Sequence, residues 1–265
     1  MTVATRRRAL RSVVLVFGLA LASPTSFMQV SGPAEAAEAS PLISHAISTT
    51  AFDPSAAGPS ALNLAMVGLR ASWNGQLVVF LPGSGGKPSC CTMFLSEAAT
   101  LGFHAIGLTY DNSTSVGGRC LNDLSCYATV RQNVFDGMDP SALSSLSPLD
   151  GVEHRLVTLL EYLAQRFPAE GWNRFVSGGQ PVYRLIVLTG HSQGGGEAAF
   201  IATERTVSGV VTLSSPPDTN NLHQAAPWLA TVSTGKTPLD RYYAFVHLGD
   251  PFYPRITADW TSMGL

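Results

Sequence analysis

From about residue 60 onward, short apolar runs alternate with amphipathic stretches. Residues 62–70, 76–81, 103–109, 183–189, 209–214 and 242–248 are rich in β-branched and aromatic side chains, and Gly, Pro, Asn or Asp bounds them, so they read as strands. Residues 92–100 read as a helix. A second helix carries Val152, Leu156, Leu159, Leu160 and Leu163 on one face, with Asp150 to Glu153 in the spacing of a capping box at its start. A shorter helix fits residues 127–134. Strands alternating with helices predict a mostly parallel sheet covered on both faces. The Ala-, Ser- and Pro-rich residues 40–60 predict an irregular lead-in. Residues 111–148 form a polar insertion that leaves the sheet after a strand, at the end where such sheets bind ligands.

The apolar run 185–189 ends in Gly190-His191-Ser192-Gln193-Gly194-Gly195-Gly196, and a helical stretch from Glu197 follows. Strand, tight turn and helix with a serine at the apex is the sequence form of a nucleophile elbow. Small residues are needed there because strand and helix nearly touch. The turn lifts the hydroxyl clear of the sheet and aims the free N–H groups of the helix start at the reaction centre.

With this motif the chain resembles the α/β-hydrolase superfamily, over roughly residues 60 to 260. The strand 76–81 running into Pro82-Gly83-Ser84-Gly85-Gly86 is similar to that family's first catalytic loop, and the resemblance implies an oxyanion hole made by the N–H groups of Ser84 (or Gly85) and Gln193. A phosphate-loop reading of residues 83–87 fails on spacing, because Leu81 stands where the first Gly belongs and Pro88 follows Lys87. Residues 242–248 running into Gly249-Asp250, with Pro254 four positions on, resemble the family's acid loop. Asp250 is the expected triad acid, and Asp218, one strand earlier, is the alternative.

The family places its histidine after the acid, and none of the six histidines follows Asp250. His223 and His247 are the alternative bases. The simpler expectation is that the chain is C-terminally incomplete, lacking the last strand, the last helix and the catalytic His. The resemblance implies a serine hydrolase of carboxylic esters, acting on a small-molecule or lipid ester through an acyl-enzyme, with no cofactor and no metal. A serine acyltransferase on the same site and a non-catalytic secreted binding protein are the alternatives.

The start of the chain sets the compartment. Arg6, Arg7, Arg8 and Arg11 precede the ten apolar residues 13–22, and small residues near Ala36 and Ala39 offer cleavage sites. That run is too short to span a membrane and reads as a signal peptide over residues 1–39, of general or twin-arginine type, with the hydrolase domain at 40–265 and a secreted or periplasmic protein as the outcome. Formal net charge is −2, and loss of four leader arginines with two glutamates makes it more negative, so no basic footprint for nucleic acid exists. Export makes disulfides the expected state of Cys90, Cys91, Cys120 and Cys126. Of the three pairings, those tying Cys90 and Cys91 to Cys120 and Cys126 are preferred, because a bond between adjacent cysteines is strained. Their spacing matches no zinc site. Oligomeric state is not readable.

Overall fold

A seven-stranded sheet organises the chain in the computed structural model, which describes residues 41–69, 72–138 and 140–265. The signal-peptide segment lies outside the described residues. The strands are β1 (Leu42–Ile47), β2 (Asn63–Gly68), β3 (Leu77–Leu81), β4 (His104–Gly107), the hairpin strands β5 (Val176–Ser177) and β6 (Gln180–Pro181), β7 (Ile186–His191), β8 (Gly209–Leu213) and β9 (Tyr242–Phe245). The sheet order is β1-β2-β4-β3-β7-β8-β9. Strand β2 runs antiparallel to both β1 and β4, and β4, β3, β7, β8 and β9 are parallel to one another.

The helices are α1 (Thr49–Phe52), α2 (Thr92–Thr100), α3 (Val116–Cys120), α4 (Cys126–Asp136), α5 (Val152–Arg166), α6 (Gln193–Glu204) and α7 (Tyr253–Met263). Central β3 is buried on both faces, which explains its unbroken apolar run. Leu77, Val79 and Leu81 join the larger core with α4, α5 and α6, while Val78 and Phe80 face a smaller core under α2. The α2 side thins toward β9, where Tyr243, Ala244 and Phe245 are exposed and the outer edge pairs with no described strand. Among the described residues no helix is long and apolar enough to cross a membrane.

Three expectations change. Residues 40–60 are not wholly irregular: β1 pairs with β2 over six residues and α1 follows, and the register lays Ile47 opposite Asn63. Asp150 does not cap α5. Gly151 holds that position, and the Asp150 carboxylate instead accepts from Ala57 N–H and the Arg155 guanidinium, so a tertiary contact outcompetes the local one. The cysteines pair otherwise than preferred. Cys120 is bonded to Cys126, joining the end of α3 to the start of α4, while Cys90 and Cys91 are free thiols in the helical turn before α2.

Candidate active site

Ser192 stands between β7 and α6 with φ +52 and ψ −120, in the region L-residues rarely occupy. Its surroundings hold it there. Its N–H donates to Leu213 O at 2.9 Å, and its carbonyl accepts from Ser215 Oγ at 2.6 Å. Glycines make the crossing possible. A Cβ on Gly194 would collide with the backbone of Leu81 and Pro82, and one on Gly190 with the backbone of Gly194.

The loop after β3 comes alongside. A Cβ on Gly83 would lie 3.2 Å from Ser192 Cβ. Tyr110 Oη donates to Pro82 O at 2.7 Å, Asn112 Nδ2 donates to Gly83 O at 2.6 Å, and Gly85 N–H donates to Asn112 O at 2.7 Å. With the Gly85 N–H so committed, Ser84 is left as the loop's donor. Its hydroxyl donates to Gln193 Oε1 at 2.7 Å, so the two residues expected to flank an oxyanion are tied to each other.

Ser84, Ser192, Gln193 and Asp218 line one cavity of about 560 Å³. The insertion supplies a wall of it, through Val116, Leu121 and Asn122 around α3 and through Tyr127 and Arg131 on α4. Phe252 and Arg255 reach it from the other side, at the start of α7.

Beneath the elbow lies a buried ionic network that the sequence reading did not find. Arg131 is 0 % exposed. Its Nε and Nη2 donate to the two carboxylate oxygens of Asp218 at 2.6 and 2.7 Å, and its Nη1 donates to Glu197 Oε2 at 3.2 Å and to Gln193 O at 3.3 Å. Trp228 Nε1 donates to Asp218 Oδ2 at 2.9 Å, and Asp218 N–H donates to Asp259 Oδ2 at 2.5 Å. Burial opposes charge on Arg131, but Asp218 and Glu197 outweigh it and raise its pKa. Burial pushes the Glu197 carboxyl up to about 8 against the pull of Arg131. It pushes Asp259 up to about 9, with the charge of Asp218 adding to the effect. Burial thus favours the neutral form of Glu197 and Asp259, and the bidentate Arg131–Asp218 contact joins α4 to the loop after β8. The signal in the sequence was an arginine on the otherwise apolar face of residues 127–134, together with a third glycine: a Cβ on Gly196 would collide with the Arg131 guanidinium.

Asp218, the alternative acid, lines the cavity with both of its oxygens accepting from Arg131 and Trp228. Asp250 lies in the turn after β9, where Oδ1 accepts from Phe252 N–H at 2.8 Å and the Asp250 N–H donates to His247 O. It does not itself line the cavity, although Phe252 does. No histidine lines the cavity among the described residues. His45 and His154 pair with Glu170 and Asp53. His104 is buried and its Nε2 donates to Glu170 O, and burial lowers its pKa. His191 is exposed, with its ring beside Gly83. Neither alternative base lines the cavity: His223 is an exposed turn residue at φ +57, and His247 is exposed with Nδ1 accepting from Gly249 N–H.

No protein-family model matches the chain, and no curated protein matches it. Among solved structures, a bacterial heroin esterase is similar at 14 % identity and a TM-score of 0.34, over 66 % of this chain and 44 % of its own. This chain thus spans under half of that enzyme's length. Esterase B from Lactobacillus rhamnosis, solved with a tributyrin phosphonate, is similar at 13 % identity and a TM-score of 0.47, over 84 % of this chain and 72 % of its own. The strand order with β2 reversed, and the serine turn between the fifth sheet strand and its helix, define the class: the chain has the α/β-hydrolase fold.

Proposed function

We propose that this chain is an exported serine hydrolase of carboxylic esters. The observation that carries the reading is Ser192, held at positive φ at the start of α6 and open to a cavity that also receives Ser84 and Gln193. Ser192 Oγ attacks the ester carbonyl carbon and a base takes its proton. The N–H groups of Ser84 and Gln193 stabilise the oxyanion, the alcohol leaves with a proton, and water then releases the acid from the acyl-enzyme. Asp250 orients the base. That base is a histidine, with His247 and His223 the candidates. No cofactor or metal takes part. The signal peptide is removed near Ala36 or Ala39, and the Cys120–Cys126 bond suits an oxidising compartment.

The absence of a histidine from the cavity lining favours one second reading, a secreted binding protein on the same fold. A fluorophosphonate probe separates the two. The hydrolase reading expects covalent labelling of Ser192, abolished in Ser192→Ala, and ester turnover that rises by orders of magnitude once a base is in place. An unlabelled Ser192 in such a protein refutes it.

A further inference from the structure

The cavity over Ser192 holds a cation that no carboxylate answers. Arg255 projects from the first turn of α7 and is half-buried. It lines the same cavity as Ser192 and Gln193. Its Nη2 donates to Asn221 Oδ1 at 3.3 Å, across from α7 to the loop after β8. Among the described residues no carboxylate lies within ion-pair distance of it.

None of the neighbouring acids pairs with Arg255. Asp259 follows one helical turn on, at the spacing where an Arg–Asp pair forms on a helix surface. It is turned inward instead, with Oδ2 accepting the Asp218 N–H and no exposure to solvent. Asp218 lines the cavity, but both of its oxygens are taken by Arg131 and Trp228. Asp250, five residues before Arg255, spends Oδ1 on Phe252 N–H. The fork of Arg255 therefore faces a partly enclosed space with donors to spare, next to the amides of Asn122 and Asn221, while Val116, Leu121 and Phe252 line the rest with apolar surface.

We propose that Arg255 is a specificity residue that selects esters carrying a free carboxylate on the portion of the substrate lying in this cavity. The preferred class is hemiesters of short dicarboxylic acids, with the alkyl stem against Leu121 and Phe252. A guanidinium binds a carboxylate with two parallel N–H···O bonds, and a partly dry cavity strengthens them. This deepens the serine hydrolase reading and rests on it for the word substrate, but the binding site itself does not need the reaction.

Two measurements keep the inference and that reading separable. In titration calorimetry, monomethyl glutarate should bind the intact chain, and methyl pentanoate, its uncharged counterpart, should bind more weakly by roughly 10- to 100-fold. Arg255→Gln should erase that ratio, and Arg255→Lys should retain part of it, because a point charge replaces the fork. Monomethyl glutarate should also slow fluorophosphonate labelling of Ser192 in the wild type and not in Arg255→Gln. Thermal unfolding of each variant at the wild-type temperature guards against a folding effect. If both ligands bind alike, or if the ratio survives Arg255→Gln in a folded protein, the inference is overturned whatever Ser192 does. If the ratio and its loss are found while Ser192 resists every fluorophosphonate, the carboxylate site stands and the hydrolase reading falls.

Discussion

The Ser192 elbow and the Asp250 loop leave the same sheet two strands apart, from β7 and β9, and they are held in contrasting ways. The elbow is fixed from every side. The backbone of Leu81 crosses Gly194, Leu213 O takes the Ser192 N–H, and the Arg131 network closes the space beneath α6. The Asp250 loop is held by its own neighbours, through the Phe252 N–H and His247 O, and Tyr243, Phe245 and Leu248 beside it are exposed. Strain at a functional residue persists only where the surroundings over-determine it. That condition is met at Ser192 and not along β9. Ser192 is held in place by the fold, whereas Asp250 is held by a few local hydrogen bonds.

Equivalent glycine substitutions give the strongest way to break this contrast. In Gly194→Ala the new methyl collides with main chain that cannot yield, so the expected loss exceeds about 4 kcal/mol, or no folded protein is recovered. In Gly249→Ala the methyl meets the exposed His247 ring at 3.1 Å, which can swing away, so the cost should stay below about 1 kcal/mol. Urea unfolding of both variants checks this, and similar costs would mean the elbow is not the rigid half.

The two aspartates extend the comparison. Asp218→Asn removes a carboxylate from a fully buried guanidinium, and an uncompensated buried charge costs about 3–5 kcal/mol. Asp250→Asn should leave unfolding within about 0.5 kcal/mol of wild type, as surface changes do. In the active hydrolase it should lower kcat by up to about 10⁴, as expected when the group orienting a base is lost. Denaturation and ester kinetics on the pair read both effects. A crippling kinetic loss in a folded Asp218→Asn, with Asp250→Asn silent, would return the acid to the loop after β8.

How far the sequence carried the fold follows the same division. Residues 92–100, 209–214 and 76–81 were readable within a residue or so, because each is one unbroken periodic run bounded by Gly, Pro or Asn and buried on the side its pattern implies. The elbow was readable because backbone crossing demands glycine whatever the context. The strand expected over 242–248 ends at Phe245, since apolar character past that point reflects exposed side chains and not sheet pairing. The strand β1 was hidden because its burial is partial and its stability comes from pairing with β2, a contact that composition does not reveal. The Arg131 network joins residues up to 128 positions apart, from Arg131 to Asp259, and was out of reach of local pattern for that reason. The preferred cysteine pairing failed on proximity. Nothing in the spacing says that α3 and α4 turn back on each other to bring Cys120 beside Cys126.

Titration sharpens the contrast by a smaller amount. Glu197, ordinarily near 4.5, and Asp259, ordinarily near 3.8, titrate in the folded protein at about 8 and about 9. A raised carboxyl pKa means the folded state keeps a proton that the unfolded state releases. The stabilisation is then full below about pH 4, falls as pH rises, and is gone above about pH 9. Each group gives a slope of at most about 1.4 kcal/mol per pH unit. Unfolding free energies at several values between pH 5 and pH 8 should fall with pH in the wild type. They should fall less steeply in Glu197→Gln and least in Glu197→Gln with Asp259→Asn. An unchanged slope in the double variant would show that the acids under the elbow are charged.

The smallest expected effect concerns the two cysteine pairs. Cys120 and Cys126 close a loop of only a few residues between α3 and α4, so the restriction on the unfolded chain is modest. The chain-entropy relation gives about 2 kcal/mol for a loop this short. Cys90 and Cys91 are free in the turn before α2, where Cys90 is exposed, and nothing in the fold depends on a bond between them. Replacing both members of the first pair by Ser should lower the unfolding free energy by about 2 kcal/mol, while the same change in the second pair should lie within about 0.5 kcal/mol of wild type. Non-reducing peptide mapping should recover Cys120 and Cys126 in one linked species and Cys90 and Cys91 alkylated. The loosened pair also borders the wall that Val116 and Leu121 give to the Ser192 cavity. Fluorophosphonates of increasing alkyl length should therefore lose some of their rate differences when Cys120 and Cys126 are replaced, and keep them when Cys90 and Cys91 are replaced. Equal costs for the two pairs, or length preference unaffected by the first, would detach the insertion from the nucleophile's side of the molecule.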